Sequence, residues 1–425
     1  MSKNMSLDFE EVLSYSAHRV QPRAEIWRKD LLTGVDELRA SNLIIESEGT
    51  SYTEMLDEGL VKGQLSVQIY DPIGSLFPYS VDSPTSFLGN RIIFYLDASC
   101  DDYKSGEVFT MKLGEFYIDG SPDGTVPLPR QTLDIFGNPV WEHVGGKIKL
   151  NAVDHLSDLA KDTFVLPLRA LSQPATTAIS RITKDYDWST RGLPVNDAGI
   201  IGDNVEFEVQ ESQNGEASWG TCYPETLSDA VRVVMQQTNK IAFTDEDGVL
   251  CFRKRGDNEA FYKMRPSERL IKQNLKMSFT DVFNGILVED TNSEEEYNQR
   301  AFYKMETNPL LKWGRFKRLL KKQSVEEVPN SAAALKAMQD SVNESGKLVL
   351  TTAYLALGLS AGDSVVINPR IGQVLDRVGV VRELSHDFSE GTTDVEIGYL
   401  PDDLIDCPDL GHTYEITGVD FNRKI

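Results

Sequence analysis

The stretch from Val108 to Leu156 constrains this chain most, because its apolar pattern calls for a strand that bends midway and a second strand that ends on a helix cap. In Val108-Phe-Thr-Met-Lys-Leu-Gly-Glu-Phe-Tyr-Ile-Asp-Gly120 the apolar side chains fall at 109, 111 and 113, then at 116 and 118. Successive strand residues face opposite sides, so the parity change at Gly114 predicts a β-bulge or sharp bend in a curved sheet. In Lys147-Ile-Lys-Leu-Asn-Ala-Val-Asp154-His-Leu156, Ile148, Leu150 and Ala152 alternate with polar residues until Asp154, a residue type that caps helices. The turn-rich excursion from Gly120 to Gly146 is expected to be free to meet a neighbour.

The same periodicities, read along the chain, predict many strands and few helices. Ser6 caps a short helix over residues 6–18 with Phe9, Val12 and Leu13 on one face. Strands are expected at 24–29, 41–47 and 63–70, and the apolar run within 91–97 suits a strand covered on both faces. The next stretch turns mixed. Helices are expected at 156–160 and 175–186, the latter capped by Thr176 or Thr177, and Thr226 with Asp229 forms a capping box before Leu227, Ala230, Val231 and Val234. A hairpin follows, 241–244 and 249–253, turning through Asp245-Glu-Asp-Gly248. Strands resume at 284–289 and 301–306, a helix from Ser331 is expected to bury Leu335, Met338 and Val342, and strands return at 347–354, 364–368, 378–388 and 395–399.

This pattern divides the chain into an N-terminal helical arm (1–22), a barrel-like or sandwich-like β unit (23–150), a mixed α/β module (151–265), a second β unit with one helix (266–400) and a C-terminal arm (401–425). The fold class is α+β, predominantly β. With 425 residues the chain is long enough for several such units. Asp8, Glu10 and Glu11 stand where a secretory signal would be apolar, and the run 348–359 is too short to span a bilayer, so folding in a cytosol without a membrane segment is expected. Cys100, Cys222, Cys251 and Cys407 lie far apart without a CxxC pair, which argues against zinc or disulfide frameworks. A net charge of −23 opposes duplex binding, since phosphate neutralisation needs a basic face.

Motifs for chemistry are mostly absent. There is no GxGxxG, GxxxxGK[ST] or HExxH, so no cofactor or metal is expected. Gly358-Leu-Ser360-Ala-Gly362 matches the esterase pattern, and Asp376 and His412 follow in triad order. That motif needs a helix after the serine, whereas Asp363-Ser-Val-Val-Ile367 reads as a strand, so a turn is the better account. Asp245 to Gly248 lacks the further oxygens of a calcium loop, Glu294 to Glu296 reads as a solvated loop, and the five histidines are scattered. The chain is therefore expected not to be an enzyme. One segment stands out: Lys312, Arg315, Lys317, Arg318, Lys321 and Lys322, interleaved with Trp313 and Phe316, concentrate bases in an acidic protein. A solvated face is the plain reading; docking against an acidic neighbouring subunit is the functional one.

Several runs, taken in their order along the chain, carry a resemblance. Leu-Gly-Glu-Phe-Tyr-Ile-Asp119, then Ile148-Lys-Leu-Asn-Ala-Val-Asp-His-Leu-Ser-Asp-Leu159, then Thr176-Thr-Ala-Ile-Ser-Arg-Ile182 resemble the tail hub (baseplate hub or minor tail) proteins of tailed bacteriophages. Gly358 to Ile367 followed by Val378-Gly-Val-Val-Arg-Glu-Leu-Ser-His-Asp-Phe388 is similar to the second barrel of those hubs. The resemblance implies two tail-tube-like barrels around an α/β module, and a homotrimer whose six barrels make a pseudo-hexameric ring between tail tube and tip, with DNA leaving through its channel. It implies as partners the chain itself, a distal tail or tail-tube protein, a tape measure protein and tip or fibre proteins, with double-stranded DNA only passing through. The implied location is the tail tip of a virion, after synthesis in the host cytoplasm. A tail-associated cell-wall hydrolase and a receptor-binding tail protein are the rival expectations.

Overall fold

The structure is a computed structural model. It describes residues 6–29 except 16–17; 35–209 except 73, 78–79, 81, 87–88, 121, 126–129, 134, 143–144, 162–167 and 187–192; 226–277 except 239, 255–261 and 265–269; and 282–289, 299–305, 320–324, 331–367, 377–399 and 416–420.

The chain opens with helix α1 (Leu7–Ser14), capped as its sequence predicts by Ser6, whose hydroxyl accepts the Phe9 N–H at 3.2 Å. Ten strands follow: β1 (Arg19–Lys29), β2 (Asp36–Ala40), β3 (Ile44–Asp57), β4 (Leu60–Asp71), β5 (Asn90–Ser99), β6 (Phe109–Ile118), β7 (Asp123–Thr125), β8 (Arg130–Leu133), β9 (Pro139–Glu142) and β10 (Gly146–Val153). Antiparallel pairing runs β2-β1-β5-β6-β10-β4-β3. The first and last strands of this order, β2 and β3, are joined by residues 41–43, so the sheet must roll around one core. Ile26, Val67, Ile69, Phe94, Leu96, Leu113, Phe116, Ile148 and Leu150 fill it, and Phe9 and Val12 of α1 join them. The roll does not close by a β2–β3 ladder among the described residues.

The parity change at Gly114 is a bulge. Phe94 pairs with Gly114 but Tyr95 pairs with Lys112, leaving Leu113 over. A Cβ at Gly114 would meet the Phe116 ring at 3.0 Å, so the missing side chain lets that ring fold back into the core. On β5, Ile92, Phe94, Leu96 and Ala98 are fully buried on one face, and on the other Ile93 is buried while Tyr95 and Asp97 are half-buried, so the second face is covered in part.

The module follows with α2 (His155–Asp158), β11 (Leu168–Pro174), α3 (Ala175–Tyr186), β12 (Val195–Asn196), β13 (Asn204–Val209), α4 (Leu227–Thr238), β14 (Lys240–Thr244) and β15 (Leu250–Lys254). α3 starts one residue before the expected threonine cap: its first residue, Ala175, donates its N–H to the Asp203 carbonyl, so a neighbouring segment replaces a side-chain cap. α4 carries the capping box, with the Thr226 hydroxyl accepting the Asp229 N–H at 3.1 Å and the Asp229 carboxylate accepting the Thr226 N–H at 3.2 Å. The hairpin β14/β15 pairs in the expected register, turning at Gly248 with φ +74°.

The C-terminal region adds β16 (Tyr262–Met264), β17 (Leu270–Met277), β18 (Gly285–Glu289), β19 (Gln299–Met305), β20 (Leu320–Ser324), α5 (Ser331–Asn343), β21 (Gly346–Thr352), β22 (Ser364–Ile367), β23 (Arg377–Asp387), β24 (Thr392–Tyr399) and β25 (Ile416–Asp420). Pairing runs β17-β21-β24-β23-β22-β16 around a second core that includes Leu348, Leu350, Val365, Val381, Val395 and Ile397. Here too the end strands, β16 and β17, are chain neighbours. On α5, Ala334 is buried with Met338 and Val342, whereas Leu335, expected inside, is half-buried. β18, β19, β20 and β25 form a separate four-stranded sheet. The terminal segments, expected as arms, lie on the body in their described parts: α1 packs into the first core and β25 pairs with β19.

The two rolls form one continuous sheet. β24 lines one flank of β23 along its length, while the other flank takes β22 at residues 377–380 and then β3 of the first roll at 383–387. The change of partner coincides with a bulge at Arg382, whose guanidinium is held by the buried Glu344 carboxylate at 2.8 Å. Leu355, Leu357 and Phe388 of the second β unit are part of the first core.

Candidate functional site: the junction of the three units

The buried polar residues converge where the first roll, the module and the second β unit meet. Alternation on β3 turns Tyr52 and Glu54 inward, and the strand alternation that ends at Asp154 places its carboxylate against the same spot. The Tyr52 hydroxyl donates to Glu54 Oε1 at 2.7 Å, and Glu54 Oε2 accepts the Ala361 N–H from the second unit at 3.0 Å. Asp154 caps α2 by accepting the Ser157 N–H at 2.8 Å and binds β4 by accepting the Gly63 N–H at 2.6 Å. Gly63 leaves room there: a Cβ would meet the Tyr52 hydroxyl at 3.1 Å and Asp154 Oδ2 at 3.2 Å, a tight fit.

Burial outweighs these hydrogen bonds and pushes the Asp154 carboxyl up to about 6, with the Glu54 charge adding to the rise. The Tyr52 phenol is raised well above its ordinary value, first by burial and then by Glu54. The Tyr52 ring stacks on the fully buried His386 at 6.0 Å, and His386 Nδ1 shares a 2.8 Å hydrogen bond with the Thr393 hydroxyl.

The module is tied in by Arg253. Its guanidinium donates to Asp363 at 2.5 Å and to the Ala361 carbonyl at 3.0 Å, and it lies over the Phe243 ring. Asp363 also accepts the Ser360 N–H at 2.9 Å, so Ser360 sits in a turn that leads into β22. A strained strand-to-helix elbow is not formed there, and Asp376 and His412 lie outside the described residues. Asp245 likewise spends its carboxylate inside its own turn, accepting the Asp247 and Val249 N–H groups at 3.0 and 2.8 Å. Cys100 and Cys251 are buried free thiols, and burial raises Cys251 to about 12. Among the described residues no group of three His, Cys, Asp or Glu is placed to hold a metal ion, and no helix is long and apolar enough to cross a membrane. The junction can fix the orientation of three units, through the hydrogen bonds of Glu54, Asp154, Arg253 and Asp363.

Lys312, Trp313, Arg315, Phe316, Lys317 and Arg318 lie outside the described residues, and Lys321 and Lys322 fall on β20. Sequence reasoning missed Glu54, Arg253 and Asp363, whose partners are remote in sequence. Their one signal was a charged residue at an inward or strand-entering position. It also left unnamed the β8/β9 hairpin, a separate two-stranded sheet whose turn holds Ile135 and Phe136 at 93% and 81% exposed.

The chain is similar to several solved structures. A 43 kDa tail protein of prophage MuSo2 from Shewanella oneidensis superposes with a TM-score of 0.50 at 11% identity, over 89% of this chain and 98% of that one. A tail protein from Neisseria meningitidis MC58 gives 0.48 at 13% identity over 91% and 98%, and an Escherichia coli component of the type VI secretion system gives 0.44 at 9% over 90% and 77%. A family model described as YQBQ-like matches residues 220–398, less than half of the chain. No curated protein matches. The chain has the fold of a phage-type tail protein, in agreement with the resemblance carried by its sequence motifs.

Proposed function

We propose that this chain is a non-enzymatic structural protein of a phage tail tip, a hub whose two rolled β units act as tube-like barrels. Three copies then make a pseudo-hexameric ring that joins the tail tube to the distal tip. The observation that carries this reading is the β3–β23 ladder, by which one chain already places two rolled sheets side by side in a single continuous sheet. The shared fold with a prophage tail protein supports it. Units 23–150 and 266–400 are the barrels on this reading, and 151–265 is the module that braces them.

The partners are a tail-tube or distal tail protein on one side, tip or fibre proteins on the other and a tape measure protein within. DNA passes without specific binding. Three chains at −23 sum to −69, and an acidic channel wall would repel phosphates. The segment Lys312 to Lys322 is then a contact for an acidic neighbouring surface. Mass measurement of the purified chain, alone and with its tail-tube partner, tests the reading. A strict monomer under all conditions opposes it.

One observation favours a receptor-binding role as the second reading: the exposed Ile135 and Phe136 at a hairpin tip. Direct binding of the purified chain to host cells, lost in I135S/F136S, would support that alternative.

A further inference from the structure

Each roll leaves a seam between its end strands, and one edge of one seam, the outer flank of β3, takes a strand from within the chain. In the first roll β3 stands at the seam, and its outer flank takes β23 of the second. In the second roll the seam strands are β16 and β17: among the described residues the three-residue β16 pairs with β22 alone and the longer β17 with β21 alone. At the far end of the continuous sheet β2 is placed alike, paired with β1 alone among the described residues. An edge strand presents a row of N–H and C=O groups that template another strand, and chains usually blunt such edges.

These two edges differ in charge. β17 carries Lys272 and Lys276 and no acid, in a chain with 66 acids and 43 bases, and Lys272 is exposed. β2 carries Asp36, Glu37 and Arg39, one acid in excess; Arg91 of β5 reaches Asp36 and Arg39 reaches Glu37, leaving the two acid side chains 44% and 60% exposed. Leu38, next to Glu37, is 45% exposed.

We propose that β17 of one copy pairs with β2 of a second copy, repeating between chains the sheet continuation that β3 and β23 make within one. Because the two surfaces are different, the contact is head-to-tail and closes into a ring when the rotation allows. The inference deepens the ring reading above and rests on it.

The test mixes isotopically light and heavy full-length chains, couples lysine amines to carboxylates with a zero-length carbodiimide, and maps linked peptides by mass spectrometry. Links from Lys272 or Lys276 to Asp36 or Glu37, joining one light and one heavy peptide, are expected. K272E/K276E should raise the dissociation constant of the assembly about tenfold, as a close charge pair turned repulsive does. E37K alone should do the same, and combining it with K272E/K276E should restore assembly, which a misfolded variant could not. An assembled wild-type chain without those links, or a combination that fails to restore, overturns the edge pairing and leaves the ring reading standing. A wild-type chain that never assembles overturns both.

Discussion

Glu54 and Ala361, 307 positions apart in sequence, are joined by a 3.0 Å hydrogen bond from the Ala361 N–H to a carboxylate that is 4% exposed. A buried acceptor with two protein donors is expensive to remove, because both donors then lose their partners where water cannot replace it. Glu54→Ala should therefore lower unfolding stability by about 3 kcal/mol. Chemical denaturation checks this, and a change under about 0.5 kcal/mol would show that the bond does not hold the units together.

Arg253 makes the second tie. Its side chain is 10% exposed and that of Asp363 is 6%, so Arg253→Ala strands a buried carboxylate and should cost about 3–5 kcal/mol. Arg253→Met with Asp363→Asn removes both charges and should recover more than half of that loss. Equal damage from the single and double variants would contradict the pairing.

The pH dependence follows from Asp154. Its folded value of about 6 lies above the unfolded 3.8, so the folded state binds the proton more tightly and stability rises as pH falls from about 7 toward 4. The gap between those two values corresponds to about 3 kcal/mol. The stability difference between wild type and Asp154→Asn should change by about 2.5 kcal/mol between about pH 7.5 and pH 4, read from denaturation midpoints, and reach the full gap only below the unfolded value. A difference independent of pH contradicts the burial-driven rise.

Phe388 belongs to the second β unit by sequence and to the first core by packing, 7% exposed and 5.6 Å from the Phe94 ring. Phe388→Ala should cost about 3–5 kcal/mol. Hydrogen exchange should show lost protection in β4 and β5 as well as in β23, since the cavity opens in the first roll. Loss confined to β23 and β24 would mean that the units are energetically separate.

Gly114 supplies a local test. Gly114→Val places a side chain against the Phe116 ring and should cost about 1–3 kcal/mol through strain in the bulge. Unchanged stability would remove the reason given for glycine at that position.

The elements made of local pattern were legible in sequence. The bulge at Gly114, the Asp154 cap, the Thr226 capping box and the β14/β15 hairpin all follow from side chains a few positions apart. What remained hidden is long-range. Nothing in the alternation of β3 says that residues 51–55 continue a sheet begun at β23, and Leu357 reads as part of a loop although it fills the first core. The helix α3 is capped by the Asp203 carbonyl, a partner no local rule proposes. Glu54 carries no local signal of its role, because its second donor lies in another unit.

Assembly of two rolled sheets per chain into a ring is open to direct observation by electron cryo-microscopy of the purified chain, at the concentration where it assembles. Three copies of the 47.5 kDa chain are expected in a six-lobed ring with an open axial channel. A monomer, or an oligomer with no channel and no six-fold repeat of the rolls, would refute the ring.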